Sequence, residues 1–295
     1  MELRTISYCS NFLKNGLFPP SPLLDEIMSS EKTDAILLKV VAWSETSCIV
    51  TMFTRDFGRL SVMVKGARRP KSPFEAAIDL LTQCQIVFIQ KSGDTLDLLT
   101  EAKLVRRFRS APNALTRLYV GYYMAEYLQL ATEPNEPLPE LYELTAVTLE
   151  QLSIPPGEPT DVTDSVEGAP RSVLQPTDSL LLRFELQSLR ILGHVPSLQN
   201  CAACSRPILD RDQLAFGLLA GGLLCQKCQF GQRQLIRISG LSAQVMLEAS
   251  QVDWQRRAIV DIPRQSRAEI RAVMNRYITN LFDRQMRMLE YLQSP

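Results

Sequence analysis

The sequence predicts an α+β protein, with a small five-stranded barrel first and then helices into which a four-cysteine module is inserted. Three observations carry this. Residues 34–105 fall into short runs rich in Val, Ile, Leu, Phe and Thr, the composition of strands with one face buried. From Pro112 onward the apolar spacing turns helical. Cys201-Ala-Ala-Cys204 is followed, after twenty residues, by Cys225-Gln-Lys-Cys228, two knuckles at a zinc-site spacing.

Residues 1–30 precede any pattern. They mix Ser, Pro and Asn, as in Phe18-Pro19-Pro20-Ser21-Pro22, and read as a disordered leader or as a start assigned too early, with Met28 the true start. The barrel region, 31–110, predicts strands at Ala35–Ala42, Cys48–Thr54, Leu60–Lys65, Gln85–Lys91 and Thr95–Thr100. Arg55-Asp56-Phe57-Gly58-Arg59 closes one hairpin, with Gly58 free to take positive φ. Ser92-Gly93-Asp94 closes another. The OB-fold is the five-stranded member of the small barrels and commonly binds oligonucleotides.

The remainder, 111–295, reads as an α-helical domain. Leu115, Leu118, Tyr119, Tyr122 and Leu130 mark one stripe, and Leu138, Leu141, Leu144, Leu149 and Leu152 a second. Tyr119, Tyr122 and Tyr123 read as helix packing rather than a base-stacking cluster. Residues 153–178, opened by Ile154-Pro155-Pro156-Gly157-Glu158-Pro159, read as an acidic flexible insertion. Thr177-Asp178 caps a helix over Ser179–Leu192 that is apolar enough for the core, and Gly193 stops it. Ile270, Val273, Met274, Tyr277, Leu281, Met288 and Leu292 predict the apolar face of one long C-terminal helix. Arg267, Arg271, Arg276, Arg284 and Arg287 stand among them as a second set of phosphate contacts.

The cysteine module spans residues 200–230. Cys201, Cys204, Cys225 and Cys228 complete a tetrahedral shell around one zinc ion, leaving no open position for water or substrate. The zinc is therefore structural. A redox motif needs no second copy, and disulfides need an oxidising compartment to which nothing here points. His194, the sole histidine, lies seven residues before Cys201 and reads as part of the connection from helix to knuckle.

Composition bounds the rest. The chain has 295 residues, with 45% hydrophobic and 22% charged, a globular composition. No run approaches the roughly 20 apolar residues of a membrane span, and the N-terminus lacks the apolar stretch of a secretory signal. Cys9, Cys48 and Cys84 form no evident pattern. These features favour the cytoplasm. Net charge is zero, yet residues 132–170 carry nine acidic side chains and no Lys or Arg. Residues 31–110 carry thirteen basic against nine acidic, and residues 200–295 thirteen against eight. Two basic ends around an acidic middle suit a polyanion partner at the ends.

The basic motif with most chemistry is Lys65-Gly66-Ala67-Arg68-Arg69-Pro70-Lys71-Ser72, directly after a predicted strand. Gly66 and Pro70 shape it as a loop. Lys65, Arg68, Arg69 and Lys71 are candidate phosphate contacts, and Arg55 and Arg59 on the preceding hairpin extend the patch. The motif lacks the spacing of an ATP-binding P-loop. It predicts backbone binding with little base selectivity.

Phe53-Thr54-Arg55-Asp56-Phe57-Gly58-Arg59 and then Val64-Lys65-Gly66-Ala67-Arg68-Arg69-Pro70-Lys71-Ser72 resemble the N-terminal signature of the bacterial RecO family. The stretch from Phe184-Glu185-Leu186 through Leu192-Gly193-His194-Val195-Pro196 to Cys201 resembles that family's approach to its first knuckle. The resemblance covers about residues 29–292. It implies an N-terminal OB-fold, a helical C-terminal domain with a structural zinc, and no catalytic residues. It implies binding of single- and double-stranded DNA, annealing of complementary strands, and nucleoid association. It also implies work with RecR and single-strand binding protein so that the recombinase RecA can load. Residues 1–28 and 153–178 depart from the family plan. Two other classes compete. A zinc nuclease or deaminase would need an open zinc position and a His-x-Glu element, which is absent. A zinc-ribbon scaffold or transcription or translation factor would not need the basic loop.

Overall fold

The computed structural model of the protein describes residues 29–91, 95–109, 115–153, 177–208, 214–256 and 260–292. The expectations for the leader, the Ser92–Asp94 turn and most of the acidic insertion lie outside them.

Five strands form the first layer: β1 (Ser30–Ala42), β2 (Cys48–Thr54), β3 (Gly58–Val64), β4 (Gln83–Ile89) and β5 (Asp97–Arg106). They close in the order β1-β2-β3-β5-β4, with β4 pairing back onto β1. All pairs are antiparallel except β3 with β5. β1 can serve both sides of the closure because it is long. Its first half pairs with β4 and its second with β2, and a bulge between Leu37 and Lys39 bends it between the two. Period-2 alternation then fills the barrel with Leu37, Val50, Met52, Val62, Val64, Ile86 and Phe88. Phe74 and Ala77, from the connection between β3 and β4, plug one end. That connection is a series of turns rather than a helix.

Several expected strand bounds shift: β1 begins at Ser30 rather than Ala35, and β3 at Gly58 rather than Leu60. β4 begins two residues earlier than the apolar run suggested, and β5 extends to Arg106, past Thr100. Polar Glu101, Lys103 and Arg106 hide the second half of β5 from a hydrophobic reading, but ladder pairing with β4 continues through them.

The helical layer contains α1 (Leu115–Ala131), α2 (Pro139–Ser153) and α3 (Thr177–Ile191). After the cysteine module, which holds the short α4 (Gln226–Gln229), come α5 (Gly240–Gln251), α6 (Arg264–Phe282) and the short α7 (Leu289–Leu292). Helix α3 is the axis of this layer, buried on every side from Ser179 to Leu189. Most of its buried polar groups find partners, though the Arg183 Nε and Glu185 Oε2 atoms have no hydrogen-bond partner among the described residues. Gln187 donates to the carbonyls of Ala249, Ser250 and Val252, and Ser188 to Tyr127. Glu185 accepts from Tyr123 and from Arg271, the latter at 2.7 Å. The tyrosines of α1 do pack as helix residues: Tyr123 and Tyr127 are buried, and Tyr119 meets Tyr291 with ring centroids 5.5 Å apart.

The single long C-terminal helix is corrected. Helix α6 ends at Phe282, where Asp283 turns left-handed at φ 50°. Met288 and Leu292 sit beyond the break. Glu126 of α1 receives the backbone N–H groups of Arg287 and Met288, each at 2.9 Å, and anchors the start of α7.

The two layers are welded along one face of the barrel. Ile36, Leu38, Phe53 and Leu81 belong to the same apolar core as the helices. The β2–β3 hairpin is the tightest point. Gly58 takes φ +67°, and a Cβ there would lie 2.1 Å from the Glu136 carbonyl oxygen.

Candidate metal centre and nucleic-acid interface

The cysteine module is built on a three-stranded sheet of β6 (Leu214–Gly217), β7 (Gly222–Leu224) and β8 (Leu235–Ile238), with β6 in the middle. Strand β7 is what brings the knuckles together. On one side the segment before the first knuckle and the knuckle itself lie along it: Ser197 donates to the Gly221 carbonyl at 2.9 Å, Leu223 donates back to the Ser197 carbonyl at 2.8 Å, and Ala202 within the knuckle donates to the Leu223 carbonyl at 2.8 Å. Gly222 permits this approach, since a Cβ there would fall 2.4 Å from the Ser197 carbonyl oxygen. The chain leaves β7 directly into Cys225, and α4 (Gln226–Gln229) carries Cys228.

All four sulfurs consequently lie within 4.8 Å of one another. The Cys204 and Cys225 sulfurs are 3.9 Å apart. Metal–sulfur bonds of about 2.3 Å in a tetrahedron put sulfurs about 3.8 Å apart, so the site fits one metal ion. The Cys225 N–H points at the Cys201 sulfur, 3.4 Å away. Burial by itself raises the Cys201 thiol. Backbone N–H groups of Cys225, Cys204 and Ala203 outweigh it and bring the group down to about 6. Hydrogen bonding to the Cys225 and Cys204 sulfurs drives Cys228 the other way, up to about 12. Four sulfurs this close repel one another as thiolates, and a bound cation would relieve that repulsion. His194 is exposed and stands outside the cluster; its carbonyl accepts from Tyr277 Oη at 2.9 Å.

The basic loop occupies an end of the barrel. Lys65, Arg68, Arg69 and Lys71 are all exposed. Gly66 at φ +72° and Lys71 at φ +60° turn the chain sharply, and the Arg69 side chain folds back over Gly66. The Arg69 N–H reaches the Gly66 carbonyl and the Ser72 N–H reaches Arg69, each at 3.1 Å. A further clamp comes from Arg107, at the end of the barrel, which donates to the Ala76 carbonyl at 2.8 Å.

Arg55 and Arg59 do not join this cluster. Arg59 spends two guanidinium N–H groups on the Thr132 carbonyl at the end of α1, at 3.1 and 2.9 Å. Arg55 pairs with Glu143 of α2 at 3.2 Å. Both face the helices because the β2–β3 hairpin is the point where the barrel meets them. Among the C-terminal arginines, Arg271 is consumed by the buried pair with Glu185, and Arg267 pairs with Asp178 at 3.6 Å. Arg276, Arg284 and Arg287 are exposed, the latter two beyond the end of α6. No helix among the described residues is long and apolar enough to cross a membrane.

Comparison with known proteins agrees with this architecture. The family model described as "Recombination protein O N terminal" matches residues 28–108, and that described as "Recombination protein O C terminal" matches residues 112–164 and 173–290. The chain is 43% identical to the DNA repair protein RecO of Rhodopirellula baltica over 206 residues, covering 70% of this chain and 69% of that one. It is 26% identical to RecO of Halalkalibacterium halodurans over 89% of this chain and 95% of the relative. RecO of Bacillus pumilus is 27% identical, over 83% and 87%. With both family models matching in order across the barrel and the helices, the chain belongs to the RecO family of DNA repair and recombination proteins.

Proposed function

We propose that this protein binds single- and double-stranded DNA through the loop Lys65–Lys71 and anneals complementary strands. In this reading it acts with RecR as a recombination mediator, so that RecA loads on DNA coated by single-strand binding protein. The observation that supports it most is the loop itself. Four exposed cations on one shaped connection of a small barrel suit phosphate oxygens and carry no base-reading geometry. Arg59 is left out of this surface because its guanidinium is bonded to the Thr132 carbonyl, and Arg55, though exposed, lies beside Glu143 at the β2–β3 hairpin rather than with the loop. Neutralising phosphates on two strands at once lowers their mutual repulsion, so annealing needs neither ATP nor a catalytic residue.

The ion in the cysteine cluster is assigned as a structural zinc. An all-sulfur, four-ligand set is a zinc preference among common divalent metals and offers substrate no open position. The protein works in the cytoplasm, at the nucleoid.

The test is binding to a fluorescent single-stranded oligonucleotide over a salt series, beside a Lys65/Arg68/Arg69 triple alanine variant. Log affinity should fall by roughly 0.7 per phosphate contacted for each tenfold rise in salt. The triple variant should lose most of both the affinity and the salt slope. Absence of wild-type binding at low salt would move the protein to the class of interaction scaffolds.

A further inference from the structure

The basic loop is docked onto the β1–β2 hairpin, and that hairpin carries an exposed tryptophan. The hairpin is tight: the N–H groups of Trp43 and Ser44 both reach the Ser47 carbonyl, at 3.0 and 3.2 Å. The Ser47 N–H returns to the Ser44 hydroxyl at 3.1 Å. Arg68 joins the two segments twice. Its backbone N–H donates to the Thr46 carbonyl at 3.0 Å, and its Nη1 donates to the Ser44 carbonyl at 3.1 Å. The residue next to Ser44 is Trp43, which is 65% exposed. Cations and indole are therefore held at one end of the barrel by direct hydrogen bonds.

An indole left in water forgoes the stabilisation that burying a large apolar side chain brings. Packing gives it no reason to be there. Val41, two residues earlier on the same face of β1, is also exposed, whereas Val40 points to the other face beside its partner Val50. Between β1 and the loop runs an open groove of about 370 Å³, lined by Val40, Ala42, Cys48, Ala67, Arg68 and Ile78 together with Glu75. Glu75 and the hairpin's Glu45 are the opposing charges, against Lys65, Arg68, Arg69 and Lys71. The bond to Ser44 uses one of five guanidinium donors on Arg68.

Phosphate-binding cations do not distinguish one strand from two, but a π-face does. In a duplex the flat faces of each base are already stacked on neighbours, whereas an unpaired base offers them freely. We propose that Trp43 stacks on an unpaired base and biases this end of the barrel toward single strands. The inference rests on the reading of the loop as a phosphate-binding surface.

The two tryptophans make the test direct, because Trp254 is only 8% exposed and solvent-side quenching reports Trp43. The full-length protein is titrated with a single-stranded oligothymidylate and with a duplex of equal length. Tryptophan emission is followed together with the anisotropy of labelled DNA. The expected result is quenching by the single strand and little by the duplex. Trp43→Ala should weaken single-strand binding roughly 5- to 100-fold, leave duplex affinity within about twofold, and melt as the wild type does. Trp43→Phe should restore most of the single-strand affinity. Unchanged single-strand affinity in Trp43→Ala, alongside loss in the Lys65/Arg68/Arg69 variant, would overturn the stacking role and leave the loop reading standing. Equal weakening on both DNAs would also overturn it, assigning Trp43 to holding the loop in shape. No wild-type binding to either DNA would remove the loop reading and the inference together.

Discussion

Arg271 shows how a side chain's chemistry depends on what meets it from far along the chain. Its guanidinium contacts Glu185, 86 residues earlier, at 2.7 Å, and Asn275 one turn on at 2.6 Å. Glu185 itself is wholly buried. Replacing Arg271 with Leu strands that carboxylate, which should cost about 3–5 kcal/mol and be read as a large drop in melting temperature. The double variant Glu185→Gln/Arg271→Leu should recover much of the loss. Sequence spacing puts Arg271 on the helix but does not show that a carboxylate from α3 faces it, so the arginine reads as a phosphate contact. The barrel thiols give a second prediction. Burial lifts Cys84 from the usual 9 to about 11, and lifts Cys48 too, where nearby Arg68 partly opposes it. The folded state holds these protons more tightly than the unfolded chain. The Cys84 contribution to stability is thus present below pH 9 and is lost as pH rises through 11, and that of Cys48 has the same sign. Urea melts across that window should show falling stability, with a shallower fall in Cys84→Ala even though that variant is weaker at every pH.

At the scale of elements, the cysteine module was the most legible feature and its sheet the least. Two thiols per turn at a fixed spacing announce a metal whatever surrounds them, and the four sulfurs do converge. Strands β6, β7 and β8 are three or four residues each, too short for periodicity to register. What joins the knuckles is backbone pairing of Ser197 and Ala202 with β7, which leaves no trace in side-chain type apart from Gly222. Structural zinc binding is worth on the order of 10 kcal/mol in small modules. Stripping the metal with a chelator should therefore expose four additional thiols to a thiol reagent, while Cys48 and Cys84 stay shielded. An unchanged thiol count would argue against a metal in the site. The end of α6 was illegible for a related reason: the apolar stripe runs on in register through Met288 and Leu292, and only the left-handed turn at Asp283 separates them.

Across the whole molecule, the barrel and the helices share a core, and the Phe53–Arg59 hairpin is the joint between them. The sequence marks this string clearly, and its neighbourhood to the Lys65–Lys71 loop makes one continuous patch the natural reading. Folding separates them: the loop lies with the β1–β2 hairpin, while the β2–β3 hairpin turns toward α1 and α2. Gly58 is the most demanding position, needing both positive φ and contact with the Glu136 backbone. Gly58→Ala should cost at least about 1–3 kcal/mol from the backbone conformation alone. Thermal melting would show the loss, and the DNA affinity of the molecules that remain folded should be unchanged. The shared core has a practical consequence for anyone who cuts the chain at its visible seam. A barrel expressed alone would turn Ile36, Leu38, Phe53 and Leu81 outward to water as a contiguous greasy face, inviting self-association. Multivalent clumps of such a fragment, each bearing a cationic loop, would mimic tight DNA binding through avidity. The loop is portable only when the helices travel with it.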